Sequence, residues 1–146
     1  MKLSDYVMDA IAAAGVRHVF MLPGGGNMHL VDSLGRQPNL DYVCNLHEQG
    51  CAIAADAYGQ YTNNLGVAMV TTGPGGTNAL TGVAAAWLDS TPTLFLSGQV
   101  KRADLSAGTG VRQTGFQEVD LVSMVRPITK YATLVEEPDQ IRRGME

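Results

Sequence analysis

Short apolar runs alternate with helical patterns along this chain, and glycine and proline stand where one gives way to the other. The runs are residues 17–22, 40–44, 65–72 and 91–97. The first stops at Pro23-Gly24-Gly25-Gly26, the third at Gly73-Pro74-Gly75-Gly76-Thr77-Asn78, and the fourth at Gly98. Proline ends strand pairing, and glycine permits backbone shapes and close approaches that a side chain forbids. Strand, glycine-rich turn and helix in repetition predict an α/β fold with a mostly parallel sheet. The run 65–72 is almost wholly apolar, as suits a strand covered on both faces. Helices are therefore expected on both faces of the sheet, in a single three-layer domain over residues 1–146. Ligands of such domains bind beyond the carboxyl ends of the strands.

Helical spacing fills in the layers. Leu3, Val7, Ile11 and Ala14 predict a helix over 3–14, capped by Ser4 or an earlier residue and ended by Gly15. Residues 27–34 return to that spacing, with Met28, Val31 and Leu34 on one side and Gly35 closing the helix. Residues 79–88 predict an Ala-rich helix carrying Trp87. Segment 98–115 is a long loop, and a loop of that length usually has a job or is mobile. A short helix is expected over 118–125, a last extended run over 128–135, and a final helix from Pro138.

Composition excludes several classes. Hydrophobic residues make up 45% and charged residues 16%, so the chain is globular rather than disordered. The net charge of −4, with both signs spread along the chain, leaves no basic footprint for nucleic acid. No apolar run reaches the length of a membrane span, and the N-terminus lacks a signal pattern. Cys44 and Cys51 form neither a zinc pair nor a redox C-x-x-C. They read as two buried thiols in a reducing compartment, so a cytoplasmic location is expected.

The richest stretch runs from Cys44 to Gly59. It reads as the end of a buried strand, a cap and a helix of small residues. Asn45 is a good N-cap, and Glu48, three residues on, can reach back to the cap N–H. The small residues from Gly50 to Gly59 would also admit a second backbone or a flat ligand. Desolvation raises a carboxyl pKa, and a Glu so tuned can pass a proton near neutral pH. Glu48 is thus either a cap or a proton carrier. The turn from Gly73 to Asn78 follows a strand and opens a helix, as a dinucleotide loop does. Its sixth position is Asn78 rather than Gly, however, and no clear acidic residue follows at the expected distance. A tight structural turn is the alternative. No His, Cys and carboxylate set has metal-ligand spacing.

Taken in order, Pro23-Gly24-Gly25-Gly26, His47-Glu48-Gln49-Gly50, Thr71-Thr72-Gly73-Pro74-Gly75-Gly76-Thr77-Asn78, Gly98-Gln99-Val100 and Phe116-Gln117-Glu118 resemble the N-terminal pyrimidine-binding domain of thiamine-diphosphate enzymes. The acetolactate-synthase-like branch is the most similar. The resemblance implies that Glu48 hydrogen-bonds the pyrimidine ring nitrogen of thiamine diphosphate and promotes the proton transfer that readies the cofactor to attack a 2-keto acid. It implies that Gly25, Thr72, Pro74 and Asn78 lie near the pyrimidine or a facing subunit. Phe116 and Gln117 would face the substrate, with Gln117 also in a catalytic role and Gln99 supporting that end. No metal site is implied in this chain. Mg2+ and the cofactor's diphosphate would be held by a separate diphosphate-binding domain, whose G-D-G…N motif is absent here.

Two departures from the family pattern stand out. Cys51 replaces a small alanine-like residue. Residues 101–115 carry Lys101, Arg102 and Arg112, which could favour an anionic substrate or simply solvate the loop. The expected protein is a C-terminally truncated or split N-terminal half of a lyase or carboligase, inactive alone. It would be completed by a homodimer or a partner domain. The small-residue helices 47–61 and 77–88 are candidates for that contact, with packing inside the domain the equal alternative. A non-catalytic dimerising module is a second reading, and a dinucleotide-binding domain a third.

Overall fold

The computed structural model describes residues 1–145. Among them a fully parallel sheet is built from β1 (His18–Met21), β2 (Asp41–Cys44), β3 (Gly66–Val70) and β4 (Thr93–Ser97), in the order β2-β1-β3-β4. Parallel neighbours need a crossover, usually a helix. Here α2 (Met28–Arg36) links β1 to β2, and α3 (Glu48–Thr62) links β2 to β3. The pair α4 (Pro74–Asn78) and α5 (Leu80–Asp89) links β3 to β4. The chain opens with α1 (Leu3–Ala13) and later forms α6 (Leu121–Val125) and α7 (Gln140–Met145).

Strand alternation divides the core in two. Val19, Met21, Val67 and Met69 pack with Val7, Met8 and Ile11 of α1 and Leu34 of α2. The intervening Phe20, Ala68, Val70 and Phe95 meet Cys51, Ala52 and Ala55 of α3 and Ala79. Helices therefore cover both faces, and the expected three-layer α/β domain is the one observed. The second layer is thin because its residues are small. A methyl group on Gly66 would collide with the carbonyl of Ala55. One on Gly82 of α5 would fall 2.7 Å from the carbonyl carbon of Ala52 and 2.9 Å from the nitrogen of Ile53. The helices 47–61 and 77–88 thus pack on each other inside the domain. Ile53, Trp87 and Leu88 nonetheless keep an exposed side.

Several expectations need correction. β2 is not buried: it is an outer strand and all four of its residues are exposed. Cys44 is exposed with it, so only Cys51 is a buried thiol. Of the two alternatives for the cap of α1, the earlier residue holds: it is Lys2. Ser4 is buried and accepts a hydrogen bond from Ser33. Met28 is exposed at the start of α2, while Leu34 alone of the expected face is fully buried. Gly35 does not stop α2, because Arg36 ties the last turn to Asp32 at 2.8 Å and Asp5 at 3.2 Å. The turn read over residues 73–78 is itself largely helical, for Pro74 at the first helical position starts the short helix α4. Residues 128–135 form no strand in this structure.

Gly82→Ala tests the thin layer. It should lower unfolding stability by about 1–3 kcal/mol, the usual cost of overpacking, read from urea denaturation. Gly35→Ala, in open space on α2, should be neutral or slightly stabilising.

Candidate functional site

The strands end together, and the chain beyond each supplies one wall. After β2, Asn45 N–H donates to the Met21 carbonyl at 3.1 Å and continues the sheet pattern one step. Leu46 is fully exposed. His47 is extended, and its Nδ1 accepts the Gln49 N–H at 3.1 Å. His47 is therefore the cap of α3, not Asn45, because the chain runs two residues further before it coils. Asn45 instead leaves a buried Oδ1 with no partner among the described residues.

This shift places Glu48 at the first helical residue. It is only 8% exposed. Its carboxylate does not fold back on the cap. Oε2 accepts from Asn78 Nδ2 at 2.9 Å, which joins α3 to the end of α4. Oε1 accepts no hydrogen bond among the described residues. It lies 3.3 Å from the point where a side chain on Gly75 would begin.

The wall beyond β1 is held by Asn27. This buried side chain accepts the Gly24 N–H at 2.8 Å and donates to the Leu22 carbonyl at 3.1 Å. Gly26 N–H then donates to Thr71 Oγ1 at 3.1 Å. A methyl group on Gly26 would collide with the hydroxyl of buried Thr72. One on Gly98 would lie 2.5 Å from the Gly26 carbonyl carbon. Gly25 differs: a side chain there would meet nothing within 4 Å among the described residues.

The loop before α6 closes against the same wall. Gly73 has φ +57°, and a methyl group on it would strike the Gln117 carbonyl. Gln117 itself has φ +58°. Glu118 staples this loop by accepting the N–H groups of Ser106 at 2.7 Å, Thr114 at 3.2 Å and Gly115 at 3.4 Å. Those bonds, Ser106 first, hold its carboxyl below the usual range. Gln99 donates from Nε2 to the Val119 carbonyl at 3.0 Å.

The structure therefore gathers Glu48, Asn78, Thr72 and the backbones of Gly25, Pro74 and Gln117 at one end of the sheet. Phe116, next to Gln117, is 83% exposed. Lys101 and Arg112 are exposed on the loop, while Arg102 pairs with Glu137 at 2.7 Å. Sequence reasoning assigned no role to Asn27, Thr71 or Glu118, although the last two stand inside quoted motifs. A short polar side chain three residues after Gly24 was a usable signal for Asn27. Nothing local marked the partners of the other two. Among the described residues no group of three or more His, Cys, Asp or Glu side chains could hold a metal ion. No described helix is long and apolar enough to cross a membrane.

A buried carboxylate and a glycine wall beyond the carboxyl ends of a parallel sheet define a ligand-binding α/β domain. Residues 1–124 match the family model described as thiamine pyrophosphate enzyme, N-terminal TPP binding domain, and the chain belongs to that family. It is 41% identical over 140 residues to an acetolactate synthase of Arthrospira platensis, covering 94% of this chain and 23% of that protein. It is 38% identical over 138 residues to the acetolactate synthase isozyme 3 large subunit of Escherichia coli strain K12, again covering 94% and 23%. With acetolactate synthase 2, chloroplastic, of Zea mays it shares 41% over 145 residues, 99% of this chain and 22% of the relative. The chain thus spans just under a quarter of the length of these relatives.

Glu118→Gln should loosen the loop and speed amide exchange at Ser106, Thr114 and Gly115 several-fold. The folded carboxyl titrates below its ordinary value of 4.5. Its stabilisation is therefore complete above that value and is lost as pH falls through the lower folded one. In Glu118→Gln the exchange at these three amides, corrected for intrinsic chemistry, should no longer carry that acid limb.

Proposed function

We propose that this chain supplies the pyrimidine-facing half of a thiamine-diphosphate site in an acetolactate-synthase-like enzyme acting on a small 2-keto acid. The observation that carries the reading is the Glu48 carboxylate: buried, anchored through one oxygen by Asn78, and open through the other beside a residue without a side chain. This arrangement fits a flat heteroaromatic ring. One anchored oxygen fixes the carboxyl plane, so the free oxygen can meet a single ring nitrogen, and glycine allows the ring to approach the backbone. When bound, the cofactor supplies the electron sink for decarboxylation.

The chain's own residues then have distinct tasks. Glu48 holds or gives a proton at Oε1. Asn78 is a positioning residue for that carboxylate. Gly25 and Thr72 shape the wall, and Pro74 starts α4 so that Asn78 ends one turn away from the glycine turn. Phe116 and Gln117 stand toward the substrate. The diphosphate and Mg2+ belong to a partner domain, on the same or another polypeptide, and a homodimer in the cytoplasm is the working assembly.

The test is a chimera in which this chain replaces the matching segment of the Escherichia coli isozyme 3 large subunit. The chimera should form acetolactate from pyruvate. Glu48→Gln should lower kcat about 10²–10⁴-fold, the usual range for a lost acid–base group. Asn78→Ala should cost less and leave the fold intact. Unchanged turnover in Glu48→Gln would remove Glu48 from the chemistry. A folded chimera that binds thiamine diphosphate but turns over no 2-keto acid would mark the domain as a non-catalytic module.

A further inference from the structure

Thr71 is the first residue after β3, and the other walls of the site converge on it. Its Oγ1 accepts the Gly26 N–H at 3.1 Å. Its carbonyl accepts the hydroxyl of Ser97, the last residue of β4, at 3.1 Å. A side chain on Gly24 would begin 2.6 Å from Thr71 Cβ. One on Gly75, in the short helix α4, would begin 2.7 Å from Cγ2, the Thr71 methyl. A real Cβ essentially never comes within 3.0 Å of a non-bonded atom. The chain beyond β1, the start of α4 and the end of β4 thus meet at one side chain, and glycine is what lets the first two touch it.

The two branches of that side chain do different work. The hydroxyl satisfies a backbone N–H in the turn after β1, and leaving such a group without a partner costs more than the bond itself contributes. The methyl only fills space, and what shares the space is Glu48. The point where a Gly75 Cβ would lie is 2.7 Å from the methyl and 3.3 Å from Glu48 Oε1, the carboxylate oxygen not held by Asn78. Without the methyl, the nearest Thr71 atom to that point is Cβ at 3.5 Å, an ordinary contact. The methyl is therefore the obstacle on the Thr71 side. It sets how close the first turn of α4 comes to the end of β3.

We propose that Thr71 is a positioning residue of the candidate site: its hydroxyl pins the glycine turn after β1, and its methyl floors the gap beside Glu48 Oε1. The packing role stands on these contacts alone; that a flat ring enters the gap rests on the functional reading above.

A double-variant cycle on the full chain tests it. Gly75→Ala should lower Tm by roughly 3–9 °C, the cost of overpacking. Adding Thr71→Ser, which removes only the methyl, should recover most of that loss. Adding Thr71→Val, which keeps the methyl and removes the hydroxyl, should not. Thr71→Val alone should speed amide exchange at Gly26 about fivefold, as for one lost hydrogen bond. No recovery with Thr71→Ser, equal recovery with Thr71→Val, or unchanged Gly26 exchange in Thr71→Val would each overturn the proposal. A second readout separates positioning from packing. In the chimera with the Escherichia coli subunit, Gly75→Ala with Thr71→Ser should bind thiamine diphosphate at least roughly tenfold more weakly than the unmodified chimera despite its restored Tm, because the new methyl lies against Oε1. Undiminished binding in that pair would reduce Thr71 to a packing residue and sink the claim. An unmodified chimera that binds no thiamine diphosphate would defeat the functional reading instead, and the stability cycle with Gly26 exchange would still decide whether Thr71 holds the walls.

Discussion

Main chain must lie against main chain here, with no side chain between, and both the core and the candidate site depend on that constraint. Gly66 meets Ala55, and Gly82 meets Ala52, which draws α3 onto the sheet and α5 onto α3. The same rule holds at the carboxyl ends, where Gly98 lies against Gly26 and Gly73 against Gln117. Each contact fixes one wall relative to the next. Glu48 can reach Asn78 only because α3 and α4 approach within the span of two short side chains. Glycine is costly in helix and strand interiors, so its density here marks where close approach outweighs that cost.

The charged residues sort by the same geometry. Lys2, Asp5, Asp32 and Arg36 form an exposed cluster that ties α1 to α2. A hydrogen bond from Ser33 holds the Asp5 carboxyl below its usual range, and one from Lys2 does so for Asp32. Exposed pairs of this kind contribute little stability each; their effect is to set the angle between two helices. Cys51 is the opposite case. Burial pushes its thiol up to about 11, so it stays protonated at neutral pH and serves as packing.

Fold class was legible because it rests on local signals: four apolar runs, the helical spacing between them, and glycine at the end of three of the runs. The strand at residues 66–70 was read most securely, since a continuous apolar run has few other homes. Environment was harder. The run 40–44 looks as apolar as its neighbours, and nothing in it says that β2 is the outermost strand. The cap of α3 was misplaced because Asn45 and His47 can both accept a backbone N–H, and only the chain's path after β2 decides between them. At the site, Glu48 and the Gly73–Asn78 turn stood out as motifs. The bond between Glu48 and Asn78 did not, because it joins residues thirty positions apart. The role of Glu118 was hidden for a related reason: its three partners lie on a loop with no periodicity.

The two halves of the core differ in kind. One is filled by Met8, Met21, Met69 and Leu34, long side chains with several torsions that can repack. The other is mostly alanine, with Cys51, Val70, Phe20 and Phe95, and at Gly66 and Gly82 backbone meets backbone with no rotamer to change. The domain is therefore lopsided, with side chains that can repack under α1 and α2 and closer backbone contact under α3 and α5. Glu48 rides on the latter side. Pressure, heat or a substitution absorbed by the methionine layer would leave the carboxylate's position nearly unmoved.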